Sequence, residues 1–93
     1  INYKRTANLL KLIKSTNKVL FNSINELLFT KDLVLISLDN GTTVKMKKND
    51  EINNTKKLLS FLDTIKGYKS ISDYKYVDLS IPKQIIVKEN KKI

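Results

Sequence analysis

Apolar side chains recur every three or four positions in two stretches of the chain, the spacing of an amphipathic helix. The first stretch covers residues 6–20 and carries lysines on its other side. Its apolar stripe consists of Leu9, Leu12, Ile13, Thr16 and Leu20. The second opens at residues 49–51, where a capping side chain and carboxylates suit the positive end of a helix dipole, and Gly67 suits a left-handed C-terminal cap. Its predicted buried stripe is Ile52, Thr55, Leu58, Leu59, Leu62 and Ile65.

Between these helices the pattern changes to runs typical of β-strands. Residues 23–29 predict one strand, and the continuous apolar run at residues 33–38 predicts another that is buried on at least one face. An Asn-Gly pair at residues 40–41 follows, and this pair between apolar runs is the strongest short-range signal of a β-hairpin. Residues 42–47 are the predicted return strand, with apolar side chains on one face and lysines on the other.

The last third holds two short β-prone runs, residues 74–81 and 85–87, joined through a turn at residues 82–84. A terminal strand is well placed to lie at a sheet edge, where one row of backbone donors and acceptors is unpaired. Such an edge either aggregates or binds a partner strand. It could equally be a protected edge, with Lys88 and Glu89 discouraging unwanted pairing.

The order of these elements is helix, strand, hairpin, helix, hairpin. It predicts a single α+β domain over residues 1–93, with a mixed, mainly antiparallel sheet of about five strands. Two helices are expected to pack on one face of the sheet, with the terminal strand at an edge. The strand–helix–strand step from residues 42–47 to 74–81 can return parallel.

Asp78 lies inside a β-prone run, where aspartate is disfavoured. Its side chain could face outward on a half-solvated strand, or it could face inward and form a hydrogen bond that fixes a turn or a neighbouring strand. Period-two alternation places Tyr74 and Tyr76 on the same face as Asp78, where packing on the sheet surface is favoured over a ligand cage.

The basic balance of the chain raises the question of nucleic acid. Lys and Arg number 18 against 9 Asp and Glu, giving a net charge of +9, but Arg5 is the one arginine. Phosphate and base recognition usually recruits the bidentate arginine fork. The lysines are scattered, with a tight internal cluster only at residues 45–48. A solvated basic surface is therefore favoured, and a basic nucleic-acid-binding module is the alternative.

Little in the composition supports catalysis. The chain has no cysteine and no histidine, which removes thiolate chemistry and the commonest general base and metal ligand. Its two glycines are accounted for by a turn and a cap, so no phosphate-cradling loop is expected. We expect a non-enzymatic protein without a cofactor or metal.

No run of the sequence approaches the roughly 18 apolar residues of a membrane span. The chain starts at Ile1 instead of Met, so it is expected to be a piece of a longer protein.

Three segments in this order resemble the C-terminal half of the FtsQ/DivIB family of bacterial cell-division proteins. They are the hairpin LDNGTTVKM at residues 38–46, the Asn-Asp pair and leucine-rich helix from residue 49, and YVDLS at residues 76–80 before a final strand. The resemblance covers about residues 6–89. Two positions depart from the family pattern: Asn49 stands where the family often has glycine, and Ser80 stands where it often has arginine.

The resemblance implies a divisome scaffold domain on the extracytoplasmic face of the bacterial cell membrane. The family's polypeptide-transport-associated domain and single membrane span would lie upstream of this chain, and loss of upstream strands could leave a second exposed edge. Family members join FtsB/DivIC and FtsL and help regulate septal peptidoglycan synthesis, the partner docking by strand addition beside the final strand. Carried over, the interface comprises Ser80, Ile81, Lys83, Gln84, Ile85, Ile86, Val87 and Lys88. Lys31, in a turn between strands, is a weaker candidate for contact with an acidic partner segment.

Overall fold

The structure is a computed structural model that describes residues 3–90. Its helices are α1 (Tyr3–Thr16), α2 (Lys18–Asn22) and α3 (Glu51–Ile65), with a short 3₁₀ helix at Ile71–Asp73. Its strands are β1 (Ile24–Phe29), β2 (Leu33–Leu38), β3 (Thr43–Lys47), β4 (Tyr74–Asp78) and β5 (Ile86–Glu89). No helix within residues 3–90 is long and apolar enough to cross a membrane.

The five strands form one sheet in the order β1-β2-β3-β4-β5. Neighbouring strands pair antiparallel except β3 and β4, which run parallel because α3 returns the chain between them. The helices pack on one face of the sheet, which we call the helix face, and the opposite side is the open face. The predicted α+β class, the mixed sheet and the terminal strand at an edge are confirmed.

The core lies between the sheet and the helices. Strand residues on the helix face alternate with residues on the open face, so every second side chain of β2 and β3 is fully buried. The buried apolar residues are Leu9, Ile13, Leu20, Val34, Ile36, Leu38, Val44, Met46, Leu58, Ile65, Tyr74, Val77 and Leu79. Burying each such side chain stabilises the fold by about 1.5–3 kcal/mol.

The prediction of one continuous helix over residues 6–20 is wrong, because the helix breaks at Asn17. Asn17 adopts an extended backbone (φ −156°, ψ 98°), and its side-chain oxygen accepts a hydrogen bond from the Leu20 amide at 2.9 Å. Asparagine is among the best residues for capping a helix N-terminus in this way. The apolar period continues across the break, since Ile13 and Leu20 are both buried, and so the periodicity alone did not reveal it.

The predicted buried stripe of α3 is wrong at its first turn. Ile52 is 62% exposed, whereas Asn54 is buried. The side-chain oxygen of Asn54 accepts a hydrogen bond from the Lys47 amide at 2.7 Å and so joins α3 to the end of β3. A buried polar group with such a partner costs little. Thr55, Leu58 and Ile65 are buried as predicted.

Tyr74 and Tyr76 do not share a face of the sheet. The pairing of β4 with β5 shifts between these residues, so Lys75 forms a bulge and the alternation is broken. Tyr74 lies on the helix face, where its ring meets Phe61 edge-on at 5.4 Å between centroids. Tyr76 lies on the open face, where the Lys45 ammonium sits 4.7 Å from the ring centroid. Tyr76 and Asp78 remain on one side, but Tyr74 is part of the core.

Candidate partner-binding edge

Strand β5 forms one edge of the sheet. It pairs with β4, and no other strand within residues 3–90 lies against its outer side. All four of its residues are exposed, including Ile86 at 38% and Val87 at 36%. Large aliphatic side chains at an open edge are typical of a surface that accepts another strand.

A tight turn leads into this strand. The Gln84 amide donates to the Ile81 carbonyl oxygen at 3.2 Å, which closes a four-residue turn over Pro82 and Lys83. Proline suits the second position of such a turn because its ring fixes φ near −65°. Lys83 occupies the third position with φ of 60°, as a type II turn requires. The predicted turn at residues 82–84 is thus confirmed, and Ile85 belongs to the connection before β5.

Asp78 fixes a second turn at the end of β4. One carboxylate oxygen accepts hydrogen bonds from the Ser80 amide at 2.9 Å and from the Ser80 hydroxyl at 2.6 Å. Aspartate commonly bonds the backbone two residues ahead of it, which bends the chain out of an extended conformation. The structure combines parts of the two roles weighed for Asp78: its side chain faces outward, so the inward placement is wrong, but it does form the hydrogen bond that fixes a turn. The residue is half-buried and lies on the open face.

Lys57 of α3 anchors the connection between β4 and β5. Its ammonium group donates to the carbonyl oxygens of Leu79 and Ile81, each at 2.9 Å. These two bonds hold the chain over α3 before it turns back into β5. Lys57 did not stand out in the sequence, because it is one of a Lys56-Lys57 pair in a lysine-rich chain, and only its half-buried position separates it from exposed Lys56.

The far end of β5 is fastened to the 3₁₀ helix. The Asn90 amide donates to the Asp73 carbonyl oxygen at 2.9 Å, and the Asn90 side chain donates to the Ser72 carbonyl oxygen at 3.1 Å. Glu89 forms an ion pair with Lys69. The edge strand is therefore held at both ends. Its backbone would lose little conformational entropy on binding a partner strand, because it is already ordered.

The direction of the backbone groups along β5 follows from the Asn90 bond. Because successive residues of a strand point their N–H and C=O groups to opposite sides, Ile86 and Lys88 also direct theirs toward β4. Val87 and Glu89 then direct theirs outward. These outward groups are what an added strand would bond.

The side chains of β5 alternate between the two faces of the sheet. Ile86 stands opposite Asp78 and Lys88 stands opposite Tyr76, all on the open face. Val87 stands opposite Val77 on the helix face. A partner strand would thus meet an isoleucine and a lysine on one side and a valine on the other.

The predicted site residues fall into one contiguous group and one separate residue. Residues 80–88 run from the turn at Ser80 through β5 and share this edge. Lys31 lies in the turn between β1 and β2, at the other edge of the sheet. Four strand spacings separate the two edges, roughly 19 Å. The structure therefore does not bring Lys31 together with β5.

Two further features of residues 3–90 bear on the chemistry of this part of the chain. This part of the chain has no group of three or more acidic side chains placed to hold a metal ion. Tyr74 shows a displaced pKa: burial, and then the neighbouring Tyr68 and Asp73, raise the pKa of its hydroxyl. That shift accompanies the packing of Tyr74 in the core, where its ring meets Phe61.

Comparison of the chain with family models, with curated proteins and with solved structures finds no match. The FtsQ/DivIB resemblance therefore rests on the motifs of residues 38–80 and on the order of the elements.

Proposed function

We propose that this chain is a non-enzymatic scaffold domain of the bacterial division machinery, and that β5 binds an extended segment of a small membrane-anchored partner by strand addition. The partner suggested by the resemblance is an FtsB/DivIC-like protein acting with an FtsL-like protein. In this proposal the domain works on the extracytoplasmic face of the membrane, joined to it through a span upstream of the chain.

The observation that supports this best is the open outer side of β5. The strand is preset by the turn at residues 81–84 and by the Asn90 bonds, with Val87 and Glu89 presenting backbone donors and acceptors outward. Main-chain hydrogen bonds would supply much of the affinity, and the alternating side chains of Ile86, Val87 and Lys88 would supply selectivity.

The test is a titration of the 93-residue chain with a labelled peptide from the extracytoplasmic end of the FtsB/DivIC-like protein encoded in the same genome. Val87→Pro removes an outward-facing amide and leaves the bonds to β4 in place, so we expect it to abolish binding while the domain stays folded. Val87→Ala is the matched control, because it trims the side chain and keeps the amide. Equal affinity for Val87→Pro and the unaltered chain would contradict strand addition.

Proline at Ile86 is a less useful variant. The Ile86 amide points toward β4, so Ile86→Pro removes a bond within the sheet and would detach the strand itself. Loss of binding by that variant would not separate an interface effect from local unfolding.

The alternative, a basic nucleic-acid-binding module, predicts a different dependence on salt. Binding driven by counterion release falls steeply as salt rises, whereas pairing through backbone groups at an apolar edge changes little. A titration with a single-stranded oligonucleotide at low and physiological salt separates the two. Oligonucleotide binding that falls steeply between low and physiological salt and is unaffected by Val87→Pro would favour the alternative.

A further inference from the structure

The charge of the chain is unevenly distributed. Residues 19–44 hold one of the 18 basic residues and three of the nine acidic ones. These charged residues are Lys31, Glu26, Asp32 and Asp39. The stretch is therefore net acidic, whereas the remainder of the chain is strongly basic. Because residues 19–44 build β1, β2 and the hairpin turn, the strand at this edge carries little positive charge of its own; the Lys48 ammonium lies at its end, where it donates to the Thr30 carbonyl oxygen at 3.3 Å.

That edge is the outer side of β1. Strand β1 pairs with β2, and no second strand within residues 3–90 pairs with it. Its sequence from Ile24 to Phe29 contains neither lysine nor proline, the residues that commonly protect an open edge. Leu28 projects from the open face and is 51% exposed. Residues 27–29 of this edge therefore lack the lysine and proline that accompany β5, and the protecting features of β1, Glu26 and the irregular pairing at residues 24–26, lie nearer its start.

The backbone direction along β1 follows from one hydrogen bond. The Thr30 amide donates to the Leu33 carbonyl oxygen of β2 at 2.8 Å. Alternation then directs the backbone groups of Leu28 and Glu26 toward β2, and those of Leu27 and Phe29 outward. A strand added to β1 would bond to Leu27 and Phe29.

We infer that, in the 93-residue chain, β1 pairs antiparallel with β1 of a second copy, with Leu28 on the two-fold axis. In this register Leu27 bonds Phe29 of the second copy and Phe29 bonds Leu27 of the second copy, giving four main-chain hydrogen bonds. Two-fold pairing is self-complementary, so each favourable contact occurs twice. The sheet continues across the axis as one ten-stranded sheet.

The side chains select this register over its neighbours. With Leu28 on the axis, Leu28 meets Leu28, Leu27 meets Phe29, and Glu26 meets Thr30 across the interface. A shift that places Phe29 on the axis sets Glu26 opposite Asp32, and like charges directly opposite are destabilising. A shift that places Leu27 on the axis sets the exposed Leu28 opposite the Glu26 carboxylate. Of these three registers, only the one with Leu28 on the axis sets apolar side chains opposite apolar side chains on both faces of the sheet.

The open face extends the contact beyond the edge. Leu28 stands opposite Leu35 in β2, and Leu35 is half-buried. Leu35 and Leu28 of one copy would lie in a row with Leu28 and Leu35 of the other. A short edge pairing of this kind buries less area than a standard stable interface, so we expect a reversible dimer that forms at high protein concentration.

Single-cysteine variants test this directly, because the chain has no cysteine of its own. Opposed residues that do not exchange hydrogen bonds lie about 4.5 Å apart between Cα atoms, within the range that a disulfide spans. Leu28→Cys should therefore form a covalent dimer rapidly under mild oxidation. Glu26→Cys is the matched control: it lies on the same strand and face but stands opposite Thr30, too far from its own copy to be bridged.

Two outcomes would overturn the inference. The first is equal cross-linking of Leu28→Cys and Glu26→Cys, which would indicate random collision. The second is efficient cross-linking of Leu28→Cys with Ile86→Cys in a mixture, which would indicate that β1 of one copy pairs with β5 of the next in an open chain of molecules.

Sedimentation equilibrium gives an independent measurement. Leu28→Lys places two ammonium groups opposite each other and should weaken the dimer about tenfold or more, since like charges directly opposite are destabilising. Ile52→Lys adds the same charge at a 62% exposed site on α3, a helix separated from β1 in the chain by two strands, and it should leave the dimer unchanged. Raising the salt concentration should strengthen the dimer of the unaltered chain by screening its net charge of +9. Monomer at all concentrations and salts would overturn the inference.

Discussion

The ammonium group of Lys57 lies 2.9 Å from the carbonyl oxygen of Ile81 and so ties helix α3 to the turn that precedes the edge strand β5. The same group contacts the Leu79 carbonyl oxygen at 2.9 Å. The connection between β4 and β5 therefore has an anchor outside the sheet. Without it, a four-residue strand paired on one side would depend on its own ladder and on the bonds of Asn90.

Lys57→Met should loosen this connection while it keeps most of the aliphatic stem packed. We expect a loss of about 1–2 kcal/mol in the free energy of unfolding, because two carbonyl oxygens lose a charged donor. Faster hydrogen exchange should appear at residues 80–88. Lys56→Met is the matched control, since Lys56 is exposed and neighbours Lys57 in the same helix. Similar exchange rates in both variants would show that Lys57 does not hold the connection.

Asp78→Ala should destabilise the turn at the end of β4. The Ser80 amide and hydroxyl both lose their acceptor, and we expect a cost of about 1 kcal/mol in urea denaturation. Asp78→Asn keeps an acceptor oxygen at the same place and should cost less. If both variants lose the same stability, the charge of Asp78, and not its hydrogen bonds to Ser80, would be the stabilising feature.

Asn17→Ala should destabilise α2. The Leu20 amide loses its side-chain acceptor, and N-cap replacements of this kind cost about 1 kcal/mol. Thermal unfolding of the variant checks this, with Asn17→Asp as a control that retains a capping oxygen. A stability unchanged by Asn17→Ala would show that the break between α1 and α2 does not depend on the cap.

The raised pKa of Tyr74 predicts a loss of stability at high pH. Burial, the larger cause, and the neighbouring Tyr68 and Asp73 favour the neutral hydroxyl in the folded state. The unfolded chain therefore ionises first, and stability falls as the pH rises from the ordinary tyrosine value of about 10 through the folded-state pKa. Denaturation midpoints measured across this range should fall less steeply for Tyr74→Phe. Identical slopes for the two proteins would assign the alkaline loss to other groups.

Periodicity predicted most of the fold because the core is built from regular alternation. The hairpin at residues 33–47, the helix before Gly67 and the edge position of the last strand all follow from spacing, turn residues and chain order. Two features of the fold do not follow from the spacing, because each interrupts the regular recurrence of apolar side chains without an unusual residue to mark it. Asn17 breaks a helix between two buried residues, and the bulge at Lys75 moves Tyr74 into the core.

The sequence predicts the position of the candidate edge, but it does not predict the hydrogen bonds that hold the edge strand in place. The contacts of Lys57 with Leu79 and Ile81 join residues more than twenty positions apart, and lysines in this chain are too frequent for one of them to be singled out. The family resemblance alone groups Lys31 with β5, and the strand order places Lys31 at the opposite edge of the sheet. Which two strands end at the edges depends on pairing between segments distant in the sequence, such as β3 with β4, and short motifs do not report it.

Residue-resolved hydrogen exchange of the β5 amides, with and without the FtsB/DivIC-like peptide, tests strand addition most directly. In the free protein the amides of Ile86 and Lys88 should already be protected by β4, while those of Val87 and Glu89 exchange freely. Binding should slow Val87 and Glu89 and change Ile86 and Lys88 little. Binding that leaves the Val87 and Glu89 amides exchanging as before would contradict the account.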